Sequence, residues 1–261
     1  MSLQAWPWAR VLAHRGGGTL APENTLAGLC VGLEHGFHAV EFDVMLAGDE
    51  VPLLVHDERL GRTVAGTELV SELAAATLMA REAGAWHSPR FAGERVPAFE
   101  AVLGWCRASG VWPNIEIKPA TGHEARTGEL VARATARAYA ECVHPGGDRA
   151  GRIVPEVPLL SSFSKAALVA ARAAAPDIPR GFLMDRVPPD WREQLAEVGA
   201  VALHTNHRHL DAALAARIKA AGYWLFCYTV NEPARAREVL AWGVDAFCTD
   251  RIDLIGPRFA D

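Results

Sequence analysis

Short apolar runs that break off at polar side chains recur along the chain. They lie at Val11 to His14, Val40 to Asp43, Leu53 to His56, Asn114 to Lys118, Leu159 to Ser162, Gly181 to Met184, Val201 to His204, Leu225 to Thr229 and Ala246 to Asp250. Most are too short for helices, so they predict strands. Between them apolar residues return at helical spacing, as Leu26, Leu29 and Leu33 do ahead of Gly36. Ser164 predicts the cap of a run that Pro176 stops, and Asp211 and Asn231 predict further N-caps. Gly36, Gly110, Gly199, Gly222 and Gly243 each stand between a helical stretch and a strand, where a left-handed helix cap is needed.

The chain therefore repeats a helix, glycine, strand unit. Its last two repeats, 23 and 21 residues from glycine to glycine, are near the minimum for a β/α unit. Nine strands are one too many for an eight-stranded barrel, but Val40 to Met45 and Val51 to His56 are separated only by Leu46 to Glu50, with Gly48-Asp49 inside. Parallel neighbours need a long crossover, so these two predict an antiparallel hairpin. The fold expected is α/β, a distorted (β/α)8 barrel with a β-hairpin and a small insertion near residues 57–97, the excursion proper running from Gly61 to Pro97. A doubly wound open sheet is the alternative, because counting units does not prove closure. No linker or shift in composition divides residues 1–261, so one barrel domain is expected.

Half the chain is hydrophobic and 22% is charged, enough for a full core and unlike a disordered chain. The net charge of −5 argues against a broad basic face for nucleic acid or anionic lipid, so an anionic substrate has to be met by a few placed groups. The five cysteines are far apart and form no C-x-x-C pair, which suggests neither a disulfide framework nor a thiolate zinc site. The amino terminus lacks the pattern of an export signal and no run of 18 apolar residues occurs, so a cytoplasmic protein without a stable membrane anchor is expected.

The chemistry gathers at predicted strand ends, the catalytic side of such barrels. Glu41-Phe42-Asp43 places two carboxylates on one face of a strand, and Glu116-Ile117-Lys118 adds a third carboxylate and an ammonium on the next helix-separated strand. Two acids on one buried face call for a hard cation such as Mg²⁺ or Ca²⁺, or for an internal salt bridge to Lys118. His14-Arg15-Gly16-Gly17-Gly18 ends the first strand with groups suited to phosphate, although its glycines fit neither G-x-G-x-x-G nor a Walker pattern. If the hairpin turn centres near residues 48 and 49, His56 lies opposite Glu41, with Asp57 able to orient its ring. Pro22 and Glu23 open the first helix, where they need no function beyond fixed φ and the helix dipole, or else Glu23 holds Arg15. His204, His207 and His209 offer a competing zinc site. His35, His38, His87, His123 and His144 have no partner pattern and are read as structural, and Trp6 and Trp8 as an anchor for the amino terminus.

Taken in order, His14-Arg15-Gly16, Pro22-Glu23-Asn24-Thr25, Glu41-Phe42-Asp43, His56-Asp57, Glu116-Ile117-Lys118, Ser162-Phe163, Thr229-Val230-Asn231 and Thr249-Asp250 resemble the glycerophosphodiester phosphodiesterase family. The short excursion is similar to that of its compact bacterial cytoplasmic members. The resemblance implies a TIM barrel that hydrolyses glycerophosphodiesters, its small-molecule substrates, to sn-glycerol 3-phosphate and an alcohol with one divalent cation, Mg²⁺ or Ca²⁺. It implies Glu41, Asp43 and Glu116 as metal ligands, His14 and His56 as general acid and base, and Arg15 and Lys118 as phosphate holders, supported by Glu23 and Asp57. Tyr228 stands where the family often has Trp, which implies an altered wall contact to the substrate. The attacking group is water or the neighbouring glycerol hydroxyl. A lysophospholipase D acting on acylated substrates and a non-catalytic glycerophosphate-binding barrel are the alternatives.

Overall fold

The computed structural model describes residues 5–142 and 156–261; His144 lies outside them. Every predicted strand is present: Val11–Ala13 (β1), Ala39–Leu46 (β2), Pro52–Leu54 (β3), Trp112–Ile117 (β4), Leu159–Ser162 (β5), Arg180–Met184 (β6), Ala202–Asn206 (β7), Trp224–Tyr228 (β8) and Ala246–Thr249 (β9). The α-helices of the described residues are Leu26–Glu34 (α1), Ala75–Met79 (α2), Phe99–Ser109 (α3), Glu124–Ala138 (α4), Lys165–Ala174 (α5), Trp191–Val198 (α6), Ala212–Ala220 (α7) and Pro233–Ala241 (α8). All five junction glycines have positive φ, the conformation that stops a helix and that only glycine adopts without strain. Ser164 and Asp211 cap α5 and α7, accepting from the backbone N–H of Ala167 and Leu214.

Strands β2, β4, β5, β6, β7, β8, β9 and β1 follow one another as parallel neighbours, and β1 then pairs with β2 to close a (β/α)8 barrel. Closure rules out the open sheet. The closing seam is thin, resting on Ala13 beside Val40. One edge of β2 is covered by β4 over Ala39–Val44, so β1 and β3 share the other: β1 meets its lower part, and β3 runs antiparallel along its upper part through Val44–Leu54, Met45–Leu53 and Leu46–Pro52. Because β1 is short, β3 covers a strand edge that would otherwise present unpaired N–H and C=O groups.

Alternation along the strands divides the core in two. Val11, Ala13, Val40, Phe42, Val44, Ile115 and Ile117 face the helices and pack with Leu29, Phe99, Val102 and Leu168. Leu12, Ala39, Phe226, Ala246 and Cys248 face inward. The amino-terminal end of the barrel is plugged by the segment before β1: Trp8 stacks on Trp112 at 4.7 Å, and Trp6 and Trp8 meet Trp224 edge-on at 5.5 and 5.4 Å. This anchors the amino terminus as expected and closes the end of the barrel away from the polar strand ends.

The excursion has short turns, α2 and a small core of its own, in which Leu60, Val64, Val70, Leu78 and Val96 pack on Met45 and Leu53 of the hairpin. It is tied to the carboxyl-terminal face of the barrel where His87 Nε2 meets the Thr19 carbonyl at 3.0 Å, Glu94 accepts from Ala27 N–H at 3.2 Å, and Glu58 accepts from Thr121 N–H at 3.2 Å.

Candidate active site

Glu41 and Asp43 project inward from β2, and Asp43 is the register partner of Glu116 on β4, with Glu41 two residues earlier, so two adjacent strands bring three carboxylates together inside the barrel. One oxygen from each lies within 4.8 Å of the others. Glu41 and Asp43 are buried, and the Glu116 side chain is only 12% exposed. Burial, and then repulsion from Asp43, pushes Glu41 up to about 7 and Glu116 up to about 8. Burial works on Asp43 in the same direction, but Arg15, His56, Lys118 and the hydrogen bond from Asn24 outweigh it and hold its pKa below the ordinary value. Three converging hard oxygen donors, two of which resist ionisation for want of compensating positive charge, fit a divalent cation. Among the described residues this is the single group of three such ligands. Lys118 supplies only a loose counter-charge, its Nζ 3.5 Å from Glu116 and 3.9 Å from Asp43.

The two histidines reach the acids from opposite directions along the same edge of β2. From β1 the chain ascends: Ala13 is level with Val40, so His14 arrives at Glu41, with Nε2 3.6 Å from Oε2. From β3 it descends toward His56. The expected turn centre placed His56 opposite Glu41; the observed pairing of Val44 with Leu54 shifts the register by one and puts His56 level with Phe42 instead. The cause is the loop of residues 47–51, closed by hydrogen bonds between Ala47 and both Glu50 and Val51, with Glu50 at φ 62°. The ladder ends at Leu54, and the charged β2 neighbour of His56 is Asp43, not Glu41.

Each ring has its own carboxylate. His14 Nδ1 lies 2.5 Å from Asp250 Oδ1, and His56 Nδ1 lies 2.7 Å from Asp57 Oδ1. Their environments pull them apart. Burial lowers His14, but the hydrogen bond to Asp250 and the charges of Glu41 and Asp250 raise it above its ordinary value. Burial, together with Arg15 and Lys118, lowers His56, and Asp43 and Asp57 only partly offset this.

Arg15 has φ 51°, a strained conformation that turns its backbone N–H onto Glu41 Oε2 at 3.3 Å. Its guanidinium donates to Glu23 at 2.8 Å and pairs with Asp43 at 3.3 Å. Glu23 thus holds Arg15, and the dipole explanation for it fails: α1 begins at Leu26 behind the Thr25 cap, and Asn24 just before has φ 55°. The glycines after Arg15 serve close packing. A Cβ on Gly18 would sit 2.2 Å from the Asp250 carbonyl, and one on Gly16 would sit 2.9 Å from the backbone of Leu29 in α1.

Tyr228 stands at the end of β8 with its hydroxyl buried and unpartnered among the described residues, and its ring meets the half-exposed Phe163 edge-on at 5.6 Å. The histidine alternative does not assemble. His204 is fully buried inside the barrel, stacked on Phe226 at 4.5 Å and pushed down to about 3 by desolvation. His207 accepts from Arg235 at 3.3 Å, and His209 lies 3.6 Å from Asp185.

Three contributors carry weight that sequence reasoning did not assign them. Asn24 clasps Asp43, donating to its carboxylate at 2.9 Å and accepting from its N–H at 3.1 Å. Asp250 stands at a strand end, the position that singled out His14. Asn231 is not an N-cap, since α8 starts at Pro233; it donates to Asp250 Oδ2 at 2.9 Å and accepts from Asp250 N–H at 2.8 Å.

Comparison with known proteins agrees with this geometry. Residues 14–254 match the model of the glycerophosphoryl diester phosphodiesterase family. A phosphodiesterase from Oleispira antarctica, solved in complex with the product sn-glycerol 3-phosphate, superposes with a TM-score of 0.81 at 33% identity over 92% of both chains. A glycerophosphodiester phosphodiesterase from Agrobacterium tumefaciens gives 0.75 at 25% identity over 97% of this chain and 99% of its own. A glycerophosphodiester phosphodiesterase from Caldanaerobacter subterraneus is 28% identical over 92% of this chain and 93% of its own. The chain belongs to the glycerophosphoryl diester phosphodiesterase family.

Proposed function

We propose that this protein hydrolyses glycerophosphodiesters to sn-glycerol 3-phosphate and an alcohol. The observation that carries the reading is the convergence of Glu41, Asp43 and Glu116 with the carboxylate-held rings of His14 and His56. Glu41, Asp43 and Glu116 would hold one divalent cation, Mg²⁺ or Ca²⁺, which when bound neutralises phosphoryl charge as a Lewis acid.

The chain's own side chains supply the rest. Arg15 and Lys118 offer cationic donors to the phosphate oxygens, lowering the repulsion that an anionic diester presents to any attacking oxygen. His56, kept neutral by its lowered pKa, takes the proton from the attacking hydroxyl at Nε2, its Nδ1 being engaged by Asp57. His14, kept protonated by Asp250, delivers a proton from Nε2 to the leaving alkoxide. Tyr228, which feels the charge of Glu116, meets Phe163 edge-on, and the two rings offer an aromatic wall against which the substrate's organic portion can lie. The substrate is a small molecule, and the cytoplasm is a fitting compartment for the reaction.

The test is incubation of the purified protein with glycerophosphocholine, glycerophosphoethanolamine and a lysophospholipid, with Mg²⁺ or Ca²⁺ and with chelator. Release of glycerol 3-phosphate from the first two, stopped by chelator, is expected. Turnover of the lysophospholipid alone would move the assignment to acylated substrates. No release with either cation would overturn it. His14→Ala and His56→Ala are each expected to lower turnover by about 10² to 10⁴ while the fold is kept.

A further inference from the structure

One residue of the excursion reaches the site without entering any step above. Arg62 spreads its guanidinium over two carboxylates from different segments: Nη1 and Nη2 donate to the two oxygens of Glu23 at 2.6 and 2.7 Å, and Nε donates to Asp57 Oδ2 at 2.7 Å. Both carboxylates are already in use. Glu23 Oε1 also accepts from Arg15 at 2.8 Å, and Asp57 Oδ1 holds the His56 ring at 2.7 Å. A single side chain thus completes the series His56, Asp57, Arg62, Glu23, Arg15, joining the histidine that descends from β3 to the arginine that ascends from β1.

Ordinary surface ion pairs are worth little, because two flexible chains have to be held in one geometry against solvent. Here the fork of one planar group is bidentate on Glu23, whose side chain is only 14% exposed, and its remaining N–H engages a second acid. A lysine cannot reproduce this, since an ammonium has no planar fork with which to span both. Without Arg62, Glu23 would face Arg15 alone and Asp57 would keep only His56, so neither group would be fixed relative to the other. We infer that Arg62 is a positioning residue that ties the phosphate-holding Arg15 to the proton-transferring His56, and that the excursion is docked on the barrel partly to deliver it. The inference rests on the roles proposed above for those two groups.

The test compares wild type with Arg62→Met, Arg62→Lys and Arg62→Ala by steady-state kinetics on glycerophosphocholine. Arg62→Met is expected to lower kcat by about tenfold or more, the loss of a charge-assisted hydrogen bond's orientation, and to raise KM, with the circular dichroism spectrum unchanged. Arg62→Lys is expected to fail likewise, and millimolar guanidinium to restore part of the Arg62→Ala turnover; the Arg62 side chain is 46% exposed, so the cation can reach the gap. Wild-type kcat and KM in Arg62→Lys, or in a folded Arg62→Met, would overturn the inference. A readout independent of turnover is the imidazole Nδ1–H resonance of His56 by NMR. It is expected to broaden by exchange in Arg62→Lys while that of His14 stays sharp. If wild type does not turn over glycerophosphocholine, the functional reading fails and this resonance decides alone: unchanged, it overturns the role of Arg62.

Discussion

Oδ1 of Asp250, at the carboxyl end of β9, lies 2.5 Å from Nδ1 of His14, at the carboxyl end of β1. Hydrogen bonds from His14 and Asn231 help hold Asp250 below the ordinary carboxylate pKa against the opposing effect of burial, so the carboxylate is ionised and can only accept. The proton on Nδ1 is therefore fixed, and Nε2 is the nitrogen left facing the acids. Asn231 on the far side of Asp250 keeps the carboxylate from swinging away.

Replacing Asp250 by Asn keeps the shape and removes the charge. The His14 pKa should then fall and, with His14 as the proposed acid, the alkaline limb of the pH profile of kcat/KM should move to lower pH. The acidic limb, which belongs to His56 as the proposed base with its own Asp57, should stay. A charge-assisted hydrogen bond is worth about 1.5–3 kcal/mol, so kcat should drop by about 10- to 100-fold. An unmoved alkaline limb in Asp250→Asn would separate Asp250 from the acid.

The three carboxylates make stability depend on pH in a direction set by the sign of their shifts. Glu41 and Glu116 are raised from 4.5 to about 7 and about 8, so the folded state binds their protons more tightly than the unfolded one. That stability is fully present below their ordinary value and is lost as pH rises through the folded values. Asp43 is shifted the opposite way, and its contribution is lost only in more acid solution. Chelator-treated protein should therefore melt at a lower temperature at pH 8.5 than at pH 5.5. Mg²⁺ or Ca²⁺ should raise Tm more at the higher pH, where the ionised carboxylates are otherwise uncompensated. Melting curves at the two pH values check this; an equal gain at both would mean that the cation does not act through these acids.

Asn24 should matter to both stability and cation affinity. Its amide satisfies the carboxylate and the N–H of buried Asp43 at once, from a backbone at φ 55°. Asn24→Ala leaves those groups unpaired, costing about 1–3 kcal/mol, and adds about 1 kcal/mol for a side chain other than Asn in the left-handed region. Asn24→Gly should lose the first contribution but not the second, so the two variants should differ in Tm while both bind the cation about 10- to 100-fold more weakly. Calorimetric titration with Ca²⁺ beside thermal melts separates the two effects.

The strands and the inward acids were legible because they rest on local rules. An acid at every second position of a short apolar strand can only face one way, and a glycine at a helix-to-strand junction reports the left-handed cap directly. What depended on pairing was less secure. The level of His56 turned on a loop of a few residues, where one step of register exchanges the side chain opposite Glu41 for the one opposite Phe42. Asn231 precedes a proline-started helix closely enough to look like its cap, and only the arrival of β9 beside it shows that its amide is spent on Asp250. Arg62 gave no sign at all: it sits in a stretch without periodicity, and its Glu23 partner is 39 residues away.

Inside the barrel, His204 lies over a glycine. A Cβ on Gly181 would stand 2.3 Å from His204 Nε2, and Gly181 has no positive φ to complicate a substitution. Gly181→Ala should therefore act through overlap alone, forcing the ring or β6 to move at about 1–3 kcal/mol. His204→Leu should be close to neutral, because both ring nitrogens are buried without a partner among the described residues and removing an unsatisfied group offsets the altered packing. In the double variant Gly181→Ala/His204→Ala the methyl occupies space the ring has vacated, so the two changes should compensate, with a melting temperature above that of Gly181→Ala. Retained cation binding and turnover in His204→Leu would fit a side chain that only fills the barrel interior. Loss of a bound zinc ion in that variant would instead restore the histidine site to contention.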